Sequence, residues 1–317
     1  MNVGDILDQA FTFYRKSFLT LIGIVAVVSV PVAIVQILGG LLAGSRLTAI
    51  LASGGSAAAS VPPSQTPTLL LGSALLGIAY LLGLAGSILQ SGALAVVVSE
   101  RFLGRSVNLR QAYARTLGRW RALLAMALVL ALVYGLLFGV LVIPFLLLLG
   151  MGIFEPSLAS GPVANAALGA VFCLFCGFWP VLLVVYLALQ IRWLFAPQAI
   201  VVENCGGLDG LRRSWRLVRG SFWRVLGINL VLTVLVSLIS ATPAFAIQMA
   251  VSLLPSFLLE TVINNAVGTV INIVALPLQF AVLTLLYYDL RMRKEGFDLE
   301  LLARQQLAAS LASLATP

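Results

Sequence analysis

The stretch "GLRRSWRLVRGSFWRVLGINLVLTVLVSLISATPAF", residues 210–245, decides the fold. Its first eighteen residues, Gly210 to Gly227, hold five arginines and two tryptophans, and the apolar run that follows extends from Val225 to Leu254. A basic, aromatic strip could grip nucleic acid, but one that runs directly into a lipid-length apolar segment is read as a membrane-interface element. Arginines on one face of such a helix reach toward phosphates while the aromatic face sits at headgroup depth.

The rest of the chain fits a lipid solvent. Of 317 residues, 61% are hydrophobic and 9% charged, and the mean hydropathy is +1.08. A soluble domain is about 45–50% apolar and about 25% charged. A helix needs about 20 apolar residues to cross a bilayer, and six stretches qualify: Phe18–Leu42, Thr68–Val98, Ala122–Gly150, Val163–Leu189, Val225–Leu254 and Leu258–Tyr288. The second is long and glycine-rich, so it reads either as one helix or as a broken pair. Pro31, Pro144, Pro180, Pro243 and Pro277 lie inside or near the ends of these stretches, which calls for neighbouring helices to satisfy the freed carbonyls. The uncharged segment "SGGSAAASVPPSQTPT", residues 53–68, reads as a flexible connection with no folded site.

Charge placement orients the bundle. The net charge is +8. Setting apart Arg192, which stands just past the end of the fourth stretch, seventeen of the nineteen basic residues fall before the first stretch, after the sixth, or in the connections following the second and fourth, and Arg46 is the exception. Basic residues collect on cytoplasmic loops, so both termini are expected in the cytoplasm. The first residues, "MNVGDILDQA", lack the basic flank and short apolar core of a signal peptide, so insertion is expected to use the first spanning helix.

A repeat underlies the strip. Leu211, Trp215, Val218 and Phe222 follow helical spacing; 102 residues earlier stand Leu109, Tyr113, Thr116 and Trp120, and 102 earlier again Leu7, Phe11, Tyr14 and Phe18. A small residue recurs as Ala10, Ala112 and Ser214. The expected fold is therefore an all-α integral membrane protein, a single helical domain. Its six transmembrane helices form three tandem units, each an interfacial amphipathic helix plus a hairpin. The units run approximately 1–102, 103–204 and 205–296, with a cytoplasmic tail at 297–317. All three share one orientation, unlike inverted transporter repeats.

Chemistry-bearing residues are sparse. There is no histidine, which removes the commonest general base and metal ligand, and no P-loop, H-E-x-x-H or G-x-S-x-G pattern occurs. Cys173 and Cys176 form a C-x-x-C inside an apolar run, where free cysteine is a small hydrophobe. No enzyme, metal or cofactor is expected. Two sets of residues remain as candidates. Arg212, Arg216, Arg219, Arg224, Arg115 and Arg119 would contact anionic lipid headgroups, with Arg212, Arg216 and Arg219 on the face opposite the Trp215 stripe; simple anchoring by positive charge is the plainer alternative. Arg192, Asn272 and Gln279 would line an intramembrane polar path; the plainer alternatives are interfacial snorkelling for Arg192 and interhelical packing for the two amides. Arg192 has a third option, an ion pair with Glu100, Glu203 or Asp289. Membrane lipids, a membrane-protein partner or a second copy are the expected partners, and nucleic acid is not.

Three segments carry a resemblance: "NVGDILDQAFTFYRKSFLTLIG", "QAIVVENCGGLDGLRRSWRLVRGSFWRVLG" and "LLYYDLRMRKEGFDLELLA". Together they resemble the bacterial family named as the membrane domain of glycerophosphoryl diester phosphodiesterase. The resemblance implies a helical protein of the bacterial inner membrane, working beside lipid or envelope metabolism. The phosphodiesterase barrel uses histidines, of which this chain has none, so the resemblance carries over the membrane module and leaves the hydrolase behind. The expected function is a non-enzymatic module binding anionic lipids or envelope partners through its basic amphipathic helices, with a transporter or lipid-translocating protein as the alternative.

Overall fold

A computed structural model of the chain describes residues 3–52, 62, 64–102, 104–105, 107–154, 162–251 and 257–296. The tail at 297–317 and most of the 53–68 connection lie outside these residues, as do the side chains of Leu7, Arg46, Cys173 and Cys176. The described residues are helical, with no strand among them. In chain order the helices are α1 (Val3–Lys16), α2 (Phe18–Ala52), α3 (Thr66–Phe102), α4 (Leu109–Leu117), α5 (Trp120–Phe154), α6 (Pro162–Trp193), α7 (Ala196–Val202), α8 (Gly207–Val218), α9 (Phe222–Val251) and α10 (Phe257–Glu295). Six of them, α2, α3, α5, α6, α9 and α10, are long and apolar enough to cross a membrane. The protein is all-α, with the composition of a multi-pass membrane protein.

The long second stretch is one continuous helix of 37 residues, about 55 Å at 1.5 Å per residue. Two of its glycines, Gly72 and Gly86, serve helix contact instead of breaking the helix. A Cβ on Gly72 would lie 2.5 Å from Ala43 Cβ and 2.7 Å from Ala43 N, and one on Gly86 would lie 2.2 Å from Val28 Cγ1. From the facing side, a Cβ on Gly39 would lie 2.9 Å from Leu76 Cγ. Small residues let two backbones approach closely where lipid supplies no hydrophobic drive for association. Helix α2 is thereby sealed along α3.

Helix α10 completes a tight triad with α2 and α3. Where the three meet, Leu21, Ile24, Leu94, Val97, Ala281, Val282 and Leu286 are fully or almost fully buried. Pro31, Pro180, Pro243 and Pro277 sit inside α2, α6, α9 and α10. The Tyr14 hydroxyl of α1 donates to the Val274 carbonyl of α10, three residues before Pro277, at 3.1 Å, tying the short helix to the long one. The outer helices show apolar faces outward: Leu128, Leu132 and Leu136 on α5, and Leu230, Val234 and Leu238 on α9, are at least half exposed. Such faces suit contact with lipid tails, the solvent in which exposed leucine costs nothing.

The glycine contacts give a direct test. Gly72→Leu forces side chain against the α2 backbone and is expected to lower stability by about 1–3 kcal/mol or more. Gly77→Leu, whose Cβ would meet nothing within 4 Å, is expected to leave it unchanged. Thermal unfolding of the two variants in detergent micelles measures the difference.

Candidate functional site

The site is built around α8, and its seat is made by small residues. A Cβ on Gly207 would lie 2.4 Å from the Ala122 carbonyl of α5, and one on Gly210 would lie 2.4 Å from Ile200 Cγ1 of α7. Leu211, Ser214, Leu217 and Val218 complete the buried face. The recurring small residue is its deepest point: Ala10, Ala112 and Ser214 are each fully buried. Ser214 Oγ donates to the Arg192 carbonyl at 2.8 Å and accepts from the Phe195 N–H at 3.1 Å. It thus satisfies backbone groups at the break between α6 and α7, where Pro197 opens the second helix. At the other end of α8, Lys294 Nζ donates to the carbonyls of Leu217 (2.7 Å) and Arg219 (2.5 Å). A cation there satisfies carbonyls that the helix leaves unpaired.

Ion pairs lock the helix down. Arg213 meets Glu203 at 2.7 Å and Glu295 at 2.5 Å, with its side chain only 19% exposed. Glu203 also accepts from the Tyr287 hydroxyl and lies 3.6 Å from Arg291, which reaches Glu295 at 3.3 Å. The hydrogen bond to Glu295, with that to Glu203 and the two negative charges, holds the Arg213 guanidinium even more firmly protonated than usual. Two further acids are engaged in the same way. Glu100, at the end of α3, takes Arg115 of α4 at 2.5 Å, and Asp289 of α10, almost fully buried, takes Arg224 of α9 at 2.9 Å and Arg293 at 3.1 Å. Each acid stands near the end of a spanning pair and holds an arginine on or beside a short helix. Arg119 donates to the Asn204 carbonyl at 3.1 Å.

Of the options open to Arg192 the ion pair is not formed, and Glu100, Glu203 and Asp289 are held by other arginines. Arg192 instead lies over the Trp215 ring, 4.1 Å from its centre, a cation–π contact that suits a guanidinium at an interface. Trp215 also corrects the expectation that its stripe faces away from the arginines. It lines a groove of about 660 Å³ together with Arg212, Arg216, Asp209, Leu211 and Trp193. Consecutive helical residues are 100° apart, so Trp215 sits at the border between the buried and exposed faces and is shared by both. On its other side a recess of about 320 Å³ is bounded by Arg192, Arg219 and Phe222. Arg212 is 76% exposed and only 3.8 Å from Asp209; Arg216 and Arg219 are exposed as well.

The six arginines expected at headgroups thus fall into two groups. Arg212, Arg216 and Arg219 surround Trp215, whereas Arg115, Arg119 and Arg224 bond within the protein. Below the groove a ladder of rings descends between α5 and α6: Trp215–Trp193 (6.3 Å), Trp193–Tyr134 (6.2 Å), Tyr134–Tyr186 (5.3 Å) and Tyr186–Phe138 (5.5 Å). The three residues of the expected polar path are not brought together. Arg192 belongs to the Trp215 recess, Asn272 lines a separate crevice of about 360 Å³ between α2, α3 and α10, and Gln279 lines neither. Sequence reading named Glu203 only as a partner for Arg192 and missed Arg213, Tyr287, Arg291 and Glu295; the spacing of Gly207, Gly210 and Ser214 was the available sign that α8 packs closely on that side.

Arg213→Gln removes the cation shared by Glu203, whose side chain is 17% exposed, and the more open Glu295, and losing these charge-assisted bonds is expected to cost about 1–3 kcal/mol. Arg212→Gln, on the exposed side of the same helix, is expected to change stability by less than about 0.5 kcal/mol. Unfolding midpoints of the two variants separate the cage residue from its neighbour.

Among the described residues no cluster of acidic or cysteine side chains is arranged to hold a metal ion. No curated protein and no solved structure matches the chain. A family model described as a domain of unknown function, DUF7847, matches residues 1–290, and the chain belongs to that family.

Proposed function

We propose that the protein is a non-enzymatic membrane module that binds anionic lipid headgroups at α8. The observation that carries this reading is the pairing in one groove of an aromatic floor, Trp193 and Trp215, with an exposed basic rim, Arg212 and Arg216. Arg219 and Arg192 continue the basic surface around the far side of Trp215. Four arginines against the single Asp209 leave the surface positive, and guanidinium groups match phosphate oxygens in pairs. The ring ladder between α5 and α6 provides an apolar track along which an acyl chain lies once the headgroup is held above. Tryptophan and tyrosine favour this level of a bilayer, with one end in lipid and the other in water.

The same reading places the arginine-rich face and both termini in the cytoplasm, in a bacterial inner membrane and beside lipid metabolism, as the family resemblance implies. It also takes the chain as three tandem units. The order short helix, long helix, long helix occurs three times, interrupted only by α7. The equivalent small residues are buried alike. The acid ending each of the first two units pairs with an arginine on the following short helix. In the first two units Tyr14, Arg115 and Arg119 of the short helices and their ends bond to the Val274 carbonyl, Glu100 and the Asn204 carbonyl. The third unit presents the lipid surface.

Each basic side chain near an anionic surface contributes about 1 kcal/mol. Replacing Arg212, Arg216 and Arg219 together by Gln is therefore expected to weaken binding of phosphatidylglycerol by about a hundredfold, with the unfolding midpoint little changed. Native mass spectrometry of the detergent-solubilised protein with added phosphatidylglycerol and phosphatidylcholine measures it. Equal affinity of wild type and triple variant, or no preference between the two lipids, removes the headgroup site.

A further inference from the structure

The crevice between α2, α3 and α10 has no part in the α8 site, and its chemistry is different. Gln36 stands on α2, Gln90 on α3, and Asn264, Asn265, Thr269 and Asn272 on α10, around a volume of about 360 Å³ whose described lining holds amides and hydroxyls and no charged side chain. That volume lies in the range of small-molecule sites. Depth follows from the helix rise. Gln90 is ten residues from Glu100, about 15 Å, and Asn264 is twenty-five residues from Asp289, about 37 Å. The crevice therefore runs from mid-membrane to the end of the bundle away from the arginines. It stops at Gln90, where the buried residues Leu21, Ile24, Leu94 and Val282 fill the triad.

Interhelical packing accounts for only part of this. Gln90 Nε2 donates to the Val25 carbonyl at 3.0 Å and to Ser29 Oγ at 3.1 Å, and Asn265 and Thr269 bond along their own helix. Asn272 is different: it is exposed, as is Gly268 one turn away, and both line the crevice. Asn272 lies seventeen residues from Asp289, about 25 Å along the helix, inside the spanning segment. An amide held there against hydrocarbon costs free energy unless something hydrogen-bonds to it. A charged ligand would enter with no opposite charge to meet it. Amides offer donors and acceptors side by side, the match for hydroxyls, which also do both.

We propose that this crevice binds an uncharged ligand bearing several hydroxyl groups, as the sugar of a neutral glycolipid or a free sugar does, entering from the end remote from the arginines and held without passage through the bundle. The site stands independently of lipid binding at α8, so failure of either leaves the other intact.

The test uses the full-length protein in phosphatidylcholine nanodiscs containing monoglucosyl diacylglycerol with a diazirine on its sugar, and maps the photolabel by mass spectrometry. The label is expected on the 28–36, 83–90 and 264–276 segments, and Asn272→Leu is expected to lower it at least about fivefold, the value of roughly one hydrogen bond. Gly268→Leu, whose Cβ would meet nothing within 4 Å, fills the mouth without removing an amide and is expected to do the same. Unfolding midpoints in detergent micelles close to that of the wild type show that both variants are folded. Competition by methyl glucoside in the buffer assigns the site to free sugar as well, and lack of competition assigns it to the lipid. Label spread evenly over the outward leucines of α5 and α9 would overturn the proposal. So would label unchanged in both variants, or equal labelling of the crevice by phosphatidylglycerol carrying a diazirine on its headgroup.

Discussion

Glu203 is the constraint on which the basic face depends. It ends the short α7 helix, is mostly removed from water, and is met by Arg213, Arg291 and the Tyr287 hydroxyl. A carboxylate in that position must be neutralised and hydrogen-bonded, or its desolvation would cost several kcal/mol. Meeting that demand ties α8 to α7 and α10 at once, because Arg213 also reaches Glu295. With the Arg213 side of α8 turned inward, Arg212 and Arg216 are turned outward by helical geometry alone. The outward arginines and the aromatic floor beside them are thus a consequence of an inward ion cage.

The molecule places its two kinds of polarity at different depths. Most charges gather at one end, where α1, α4 and α7 pack on the triad of long helices and α8 packs on α5, α6 and α7, and where water and headgroups stabilise them. Within the spanning region, the crevice is lined by neutral amides and hydroxyls. The division follows from dielectric: a charge interacts far more strongly, and is solvated far less, in hydrocarbon than at an interface. Arg192 obeys it by lying over the Trp215 ring near the arginine-rich end.

Two kinds of signal were legible in the chain. Hydropathy fixed six apolar helices, since nothing but lipid or a deep core tolerates runs of that length. Periodicity marked the short helices before α2, α5 and α9, because a helix with one buried face must repeat near every 3.6 residues. The glycines of α3 were harder to interpret, as Gly72 and Gly86 read equally as breaks or as contacts until the position of α2 is known. The candidate site was legible in part: Arg212, Arg216 and Arg219 do surround a tryptophan, while Arg115, Arg119 and Arg224, outwardly similar in sequence, bond to Glu100, the Asn204 carbonyl and Asp289.

By itself, then, the sequence determined which segments suit lipid, where the basic residues gather, and that no histidine chemistry is available. Only the tertiary structure decided which arginine of the adjacent pair Arg212 and Arg213 is spent on a buried acid, and that Arg192 meets a ring in place of a carboxylate. It also decided that Asn272 shares a crevice with Gln36 and Gln90 and not with Arg192. The physical reason is that side-chain type is a local property, whereas ion pairing and burial depend on which helices lie across from it. Those contacts join residues such as Arg213 and Glu295, eighty-two positions apart, and no local pattern encodes them.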